Sequence, residues 1–514
     1  MSGRHLRRLL LAFAIVNGTL YSCFLPLWEG FDEPFHYAYI QSLSQGRLPV
    51  FRKAKVSAEI YASFANVPLS RFLSGSTGGC SFEEWFTLPV NERQTRLARR
   101  VDPALRQIPS SLDNYEAQQA PLAYLLLVPF DATLSRVALR WRVLVLRLLL
   151  TIPSTLMIWY GVSKLSRELH IPKPFALAAT ACIFGSQMLW ATVAHIGNDA
   201  LAVPLTLLFL LWLGIAVRTR RPRHLLIWSA VFAAGLLNKA YFLAFLPVFF
   251  AYIIVELSRR RVMACIALLI PCLIAGPWYW HNHTLYGSFS GTQQSVAGIG
   301  FEQVLEAIPK IPWLKGTLPF LHWSLWTGNW SFLSFSKTTL NVELILIALA
   351  LLLYFCRFRG FSASEWWQFA ACACFLAGLA YQTCATYIHT HGASLFAEPW
   401  YWQGVVCFLW VLAFRGLAQS GRIARCLAVA TLLVSAWIAI VTYIGKLFPL
   451  YGSGFERATL GRVWTWWSGH PAQDLNLVAL APAAVLYLLL SLFLLIVSAQ
   501  TILLVRQLVR CHPD

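Results

Sequence analysis

"APLAYLLLVPFDATLSRV", residues 120–137, decides how this chain threads. Counted as a membrane span, it scatters the basic loops over both faces. Counted as a helix lying along an interface, it leaves about twelve crossings. Then "RHLRR" (4–8), "KLSRELHIPK" (164–173), "RTRRPRH" (218–224), "SRRR" (258–261), "RFRG" (357–360), "FRGLAQSGRIAR" (414–425) and "VRQLVR" (505–510) all share one side. Short cytoplasmic loops carry an excess of Lys and Arg, so the interfacial reading is adopted and both termini are expected in the cytoplasm.

The crossings lie at 9–27, 143–163, 174–194, 200–218, 224–238, 241–257, 263–281, 341–357, 366–386, 399–415, 422–444 and 476–505. Of the 514 residues, 58% are hydrophobic and 12% charged, far from the quarter charged of an ordinary soluble domain. Many apolar runs reach the ~20 residues that cross a ~30 Å hydrocarbon core as helix. They are continuous, not alternating, which speaks against a barrel. The fold class is therefore an all-α, polytopic transmembrane helix bundle, a single integral membrane domain over 1–514. A long first extracytoplasmic loop, 28–142, carries interfacial helices, and a second large loop spans 282–340.

The net charge of +19 sits largely in the loop clusters and implies no nucleic-acid partner. One basic run, "RQTRLARR" (93–100), falls in the first loop; loops that long escape the positive-inside rule. It reads as a solvated helix face or as a surface for phosphate or lipid headgroups. The twelve cysteines form no CxxC pair or zinc spacing and read as small buried hydrophobes. The basic, then apolar N-terminus looks like a signal peptide but is read as an uncleaved first span. There is no tandem repeat and no inverted pair of broken helices of the transporter kind.

Chemistry-bearing residues gather on the face opposite the basic loops. "WEGFDEPFHY" (28–37) holds Glu29, Asp32, Glu33 and His36 beside the first span. Pro34 fits a first helical turn, so Asp32 or Glu33 would cap it. One acid suffices for a cap worth ~1 kcal/mol. The surplus carboxylate, at a low-dielectric edge, suits a general base. "HIGNDALAVPL" (195–205) brings His195, Asn198 and Asp199 to the start of another span, as a cap or as a hold on a substrate hydroxyl or metal. Lys239, in "GLLNKAY" (235–241), opposes the charge bias. It either snorkels or pairs with a phosphate. "WYWHNHTLYGSFSG" (278–291) offers His281, Asn282 and His283, and "HTHGASLFAEPWYW" (389–402) offers Glu398 before a proline. No P-loop, GxGxxG, GxSxG or HExxH is present, so ATP-driven transport and serine-hydrolase chemistry lack support.

The order of these motifs resembles the GT-C superfamily of polytopic glycosyltransferases, which includes protein O-mannosyltransferases and bacterial lipid-linked-sugar transferases. "FDEPFH" (31–36) looks like the acidic pair and histidine that open the first outer loop there. "QQAPLAYLLLVPF" (118–130), "NDAL" (198–201), "HNHTLYG" (281–287), "SLWTGNW" (324–330) and "HGASLFAEP" (391–399) follow in family order. Two departures stand out. His281 replaces the family's arginine, and the arginine and tyrosine of a "GRY…P" stretch are missing from the last motif. The resemblance implies a polyprenyl-phosphate-linked sugar as co-substrate in the bilayer, and a glycan, lipid or protein acceptor. Transfer would be inverting, on the extracytoplasmic face of a bacterial inner membrane. Asp32, ahead of Glu33, would be the base. Lys239 and first-loop arginines would stabilise the leaving phosphate. His36, His195, Asn198, Asp199, His281 and Asn282 would line the substrate. The resemblance fixes no cofactor beyond the lipid-linked donor; some family members use a divalent metal and others do not, so the metal is left open.

The competing reading is a lipid or small-molecule transporter or flippase of the cell envelope. That needs ionisable residues at span centres; Arg147 and Glu256 are the clearest, both near span ends. A third is an assembly partner in envelope polymer export. Convergence of Asp32, Lys239 and Asp199 in one cavity would favour the transferase.

Overall fold

Each of the twelve apolar stretches coincides with a helix or a bent helix pair. The computed structural model describes residues 3–331, 335–454 and 459–510. Among them, eight helices are long and apolar enough to cross a membrane, ten if each of two bent pairs is one span. The two remaining stretches are Gly3–Phe24, with a basic first turn, and Pro222–Asn238, of 17 residues. The chain is an all-α integral membrane protein. Its two strands, Lys55–Ser57 and Pro109–Asp113, pair antiparallel within the first loop.

Asp199–Thr219 runs through the middle of the bundle and is buried along nearly its whole length. Leu139–Glu168, Pro222–Asn238, Ala363–His389 and Pro399–Ala418 pack around it, and Gly3–Phe24 packs on Leu139–Glu168 and Ala483–Arg510. Two spans are broken, which the apolar pattern did not reveal. Lys173–Gly185 meets Gln187–Val193 at 60°, where Ser186 is extended. Arg261–Ile274 meets Gly276–Tyr286 at 45°, where Pro277 denies the helix an N–H donor. Both pairs start at basic connections and run the same way, so they are parallel rather than inverted.

The basic connections collect at one end. Arg218 pairs with Glu168, and Arg7 lies over Trp159. Ser364 Oγ donates to Gly214 O at 3.0 Å. Arg415 pairs with Glu365, and Arg357 donates to Gln419 O. These contacts tie six helices together near the basic connections.

At the other end stands the first loop. The stretch 120–137 forms the helix Leu122–Thr133, ~18 Å long at 1.5 Å per residue, shorter than a ~30 Å core. Leu125, Leu126 and Phe130 face outward, exposed. Tyr124 stacks at 4.2 Å on Tyr39 of the helix Glu33–Ser44. Buried ion pairs lock the loop: Arg142 to Glu59 at 2.7 Å, and Arg106 to Asp131. Within 282–340 lie the helices Phe301–Ala307 and Trp313–Leu325; residues 332–334 are outside the described set. The break expected after 444 comes later, because helix continues to Ser453; residues 455–458 are also outside it.

Candidate active site

Asp32 occupies the N-cap position of Glu33–Ser44 but does not cap it. Its φ is 54° and its side chain makes no capping bond. A left-handed aspartate costs ~1–2 kcal/mol, and such strain persists only where the surroundings enforce it. Here two phenylalanines enforce it. Phe31 stacks on Trp400 at 4.0 Å, and Phe35 lies 4.1 Å from the Tyr115 ring. The turn swings the carboxylate off the helix end to Tyr115, whose hydroxyl donates to Asp32 Oδ1.

Lys239 follows the last residue of Pro222–Asn238 in extended conformation. The turn is held by Asn238, whose Nδ2 donates to Asn198 O at 2.9 Å; Asn198 Nδ2 returns to Asn238 O at 3.4 Å and to Gln119 Oε1 at 3.0 Å. The next residue at each helix end forms an ion pair, Lys239 with Asp199. The ammonium also lies 4.5 Å from the Tyr401 ring centroid and 5.6 Å from that of Tyr241, within cation–π range.

Asp32 and Lys239 face one cavity of about 800 Å³ at the end opposite the basic connections. Glu116 and Glu398 share it, and Tyr241, Phe375, Trp400 and Tyr401 give it aromatic walls. Asp199 stands behind Lys239, outside the lining. Burial raises Asp32 to about 6, against the opposing pull of the Tyr115 hydrogen bond and Lys239. Glu398 rises to about 7 through burial and then Asp32. Glu116 is pushed well above the usual carboxylate range by burial, then by Asp32. Its Oε2 accepts from Gln119 Nε2 at 2.7 Å. A carboxylate near neutrality, with a fixed cation in the same hollow, can accept a proton while a neighbour stabilises developing negative charge.

A crystal structure of ArnT from Cupriavidus metallidurans bound to undecaprenyl phosphate is similar to this chain. The match covers 96% of this chain and 77% of that one, at 11% identity and a TM-score of 0.44. No family model and no curated protein matches.

The other expected site residues lie outside the lining. Glu33 is fully engaged: Arg147 Nε reaches its Oε1 at 2.6 Å, the other guanidinium nitrogen its Oε2, and Ile196 N donates at 3.0 Å. Arg147 also donates to the carbonyls of Leu25 and Pro26. This acid anchors the loop to the bundle. His36 is buried with Nδ1 2.7 Å from the Tyr124 hydroxyl, and burial lowers its pKa well below the usual value. His195 is buried against Gly30, where a Cβ would come within 2.5 Å of its own. His281 packs on the Trp278 ring at 5.7 Å. Asn282 braces Gly291 (φ 65°), whose added Cβ would meet its amide at 2.7 Å. It thereby shapes the 290–294 segment of the cavity wall.

Tyr115 and Glu116 are the lining residues that sequence reasoning did not single out, whereas Glu398 was noted for its place before a proline but given no role. Tyr115 and Glu116 belong to "DNYEAQQAP" (113–121), a polar run directly before the apolar helix, and that position was their signal. Glu29 has a different task. Its Oε1 accepts from Ser331 N at 2.8 Å, Ser331 Oγ at 2.6 Å and the Tyr451 hydroxyl at 2.6 Å, pinning "SLWTGNW" over the loop. Burial brings it to about 7. Among the described residues, no three His, Cys, Asp or Glu side chains are grouped to hold a metal ion. The span-end residues weighed for transport are in fixed pairs: Arg147 with Glu33, and Glu256 with Arg260 at 2.7 Å.

Proposed function

We propose that this chain is a membrane glycosyltransferase that moves a sugar from a polyprenyl-phosphate-linked donor to an acceptor hydroxyl on the extracytoplasmic face. The observation that carries the reading is Asp32 and Lys239 facing one aromatic-walled cavity, at the end of the bundle away from the basic connections. Short basic loops favour the cytoplasm, which would put this cavity outside, in a bacterial inner membrane. The motif order resembling GT-C enzymes agrees.

In this reading Asp32 takes the proton of the acceptor hydroxyl as its oxygen attacks C1 of the sugar. The bond from C1 to the phosphate oxygen breaks, C1 inverts, and the polyprenyl phosphate departs with the electron pair. Lys239 has three N–H donors. Asp199 takes one, leaving two for the phosphate oxygens. Glu33 is a positioning residue, holding through Arg147 the turn that presents Asp32.

The test is Asp32→Asn, which keeps the left-handed turn that asparagine also tolerates. Mass spectrometry of the cell-surface glycan should show the product lost, with the variant still monodisperse in detergent. Wild-type glycan levels in cells making folded Asp32→Asn would overturn the assignment.

A further inference from the structure

A second cavity, of about 430 Å³, opens elsewhere on the first loop and shares no lining residue with the first. It sits where two spans begin, Leu139–Glu168 and Ala483–Arg510, with Trp141 and Val478–Leu480 in its wall. Trp141 is exposed, as a residue at a membrane–water boundary is. Four arginines line it: Arg99, Arg100, Arg136 and Arg140. The first three are exposed. Among the described residues, no carboxylate ion-pairs with any of the four.

The two acids in the lining, Glu59 and Asp102, are turned to other partners. Glu59 lines the cavity but gives both oxygens to Arg142, at 2.7 and 3.1 Å. Asp102 spends one carboxylate oxygen on the Ala104 N–H at 2.9 Å. Arg140 is held by two backbone carbonyls, with its Nε donating to Leu480 O at 2.8 Å and its Nη2 to Ala479 O, which leaves Nη1 as its free end. The helix Leu139–Glu168 also starts here with no side-chain cap, leaving N–H donors and the positive end of its dipole. A further observation is independent of charge. Asn66, 5% exposed, lines the same cavity with its Oδ1 unpartnered. A buried amide oxygen without a donor is costly and calls for a hydroxyl or protonated oxygen from a ligand.

We propose that this cavity is a phosphate-binding site, taking a phosphate ester whose neighbouring hydroxyl or acidic proton reaches Asn66. Arginine suits phosphate through its fixed fork of donors. The cavity holds a headgroup rather than a whole lipid, and the apolar rim of Leu97, Val137 and Val478 meets the ester's apolar portion. The ester comes from an anionic membrane lipid or from a free phosphate compound. This site is separate from the proposed transfer chemistry and does not depend on it.

The experiment uses the full-length protein. One arm is native mass spectrometry after reconstitution in phosphatidylcholine nanodiscs doped with phosphatidylglycerol. The other is calorimetric titration with inorganic phosphate. Removing three charge-assisted contacts in Arg99→Ala/Arg100→Ala/Arg136→Ala should weaken retention at least about tenfold. Arg220→Ala/Arg221→Ala/Arg223→Ala, an equal charge loss at the basic end, should leave retention unchanged. Weakened lipid retention alone assigns the membrane source. Weakened inorganic phosphate binding alone assigns the free source, and weakening in both arms supports the shared chemistry. Equal behaviour of wild type and the first triple variant in both arms, or equal loss in the two triple variants, overturns the site.

Discussion

Asn198 and Asn238 hold each other's backbone: each side-chain amide donates to the other's carbonyl, at 2.9 and 3.4 Å. The clasp fixes the register of two helix ends, so that Asp199 and Lys239, one residue further along each, must meet. Asn238→Ala removes both the donor and the constraint. It should lower stability by ~1–2 kcal/mol and reduce turnover further than that loss explains. Thermal unfolding in detergent and a product assay on the same preparation check both.

The Asp199–Lys239 pair can be divided between structure and chemistry. Lys239→Met leaves a buried carboxylate unpaired, which costs ~3–5 kcal/mol. Adding Asp199→Asn should restore most of the stability. Activity should stay lost in the double variant, because the cation that meets the phosphate is gone. Recovery of activity along with stability would show that Lys239 is only structural.

The pH profile follows from Asp32. As pH falls through about 6, Asp32 takes up a proton and the base disappears, so kcat/KM should drop on that limb. Tyr115 donates to the ionised carboxylate and so lowers its pKa. Tyr115→Phe should move the limb upward by about one unit, since a charge-assisted bond is worth ~1.5 kcal/mol or more. The folded protein holds this proton more tightly than the unfolded chain does. Ionising Asp32 therefore costs stability as pH rises through about 6. Asp32→Asn should consequently be more stable than wild type at pH 7, a sign that Glu33 will not share.

Glu33 gives the opposite result. Glu33→Gln leaves Arg147 buried and uncompensated, at ~3–5 kcal/mol. Expression and melting temperature should fall, while the acid limb of whatever activity survives stays in place. A shifted limb would bring Glu33 back as a participant in proton transfer.

Sidedness has its own reporters. Cys80 lies half-buried in the first loop and Cys356 is exposed among the basic connections. In single-thiol variants, an impermeant maleimide applied to intact cells should label Cys80 and spare Cys356. The reverse pattern would invert the orientation and place the cavity in the cytoplasm.

Asp32 and Lys239 were legible in the sequence because isolated charge in an apolar setting needs a reason. Tyr115 and Glu116 were not, because they reach Asp32 only after some 80 residues of loop fold back, a closure that no local pattern encodes. The same distance hides the setting of Glu33: its partner Arg147 is 114 residues away, so an ion-paired acid looks like a free one in the sequence. His36 and His195 looked reactive by type, and packing buries both outside the cavity lining. Helix positions were readable from apolar runs, since lipid demands them. The bends at Ser186 and Pro277 were hidden, because a span can break and remain just as apolar.

The hollow that Asp32, Glu116 and Glu398 share holds three carboxyl groups against the one cation Lys239, and burial raises the pKa of all three. A phosphate group entering it brings additional negative charge, which favours proton uptake by Glu116 or Glu398. The heat of donor binding should therefore vary with the ionisation enthalpy of the buffer. The cavity would then couple the binding of an anionic ligand to protonation of its own walls.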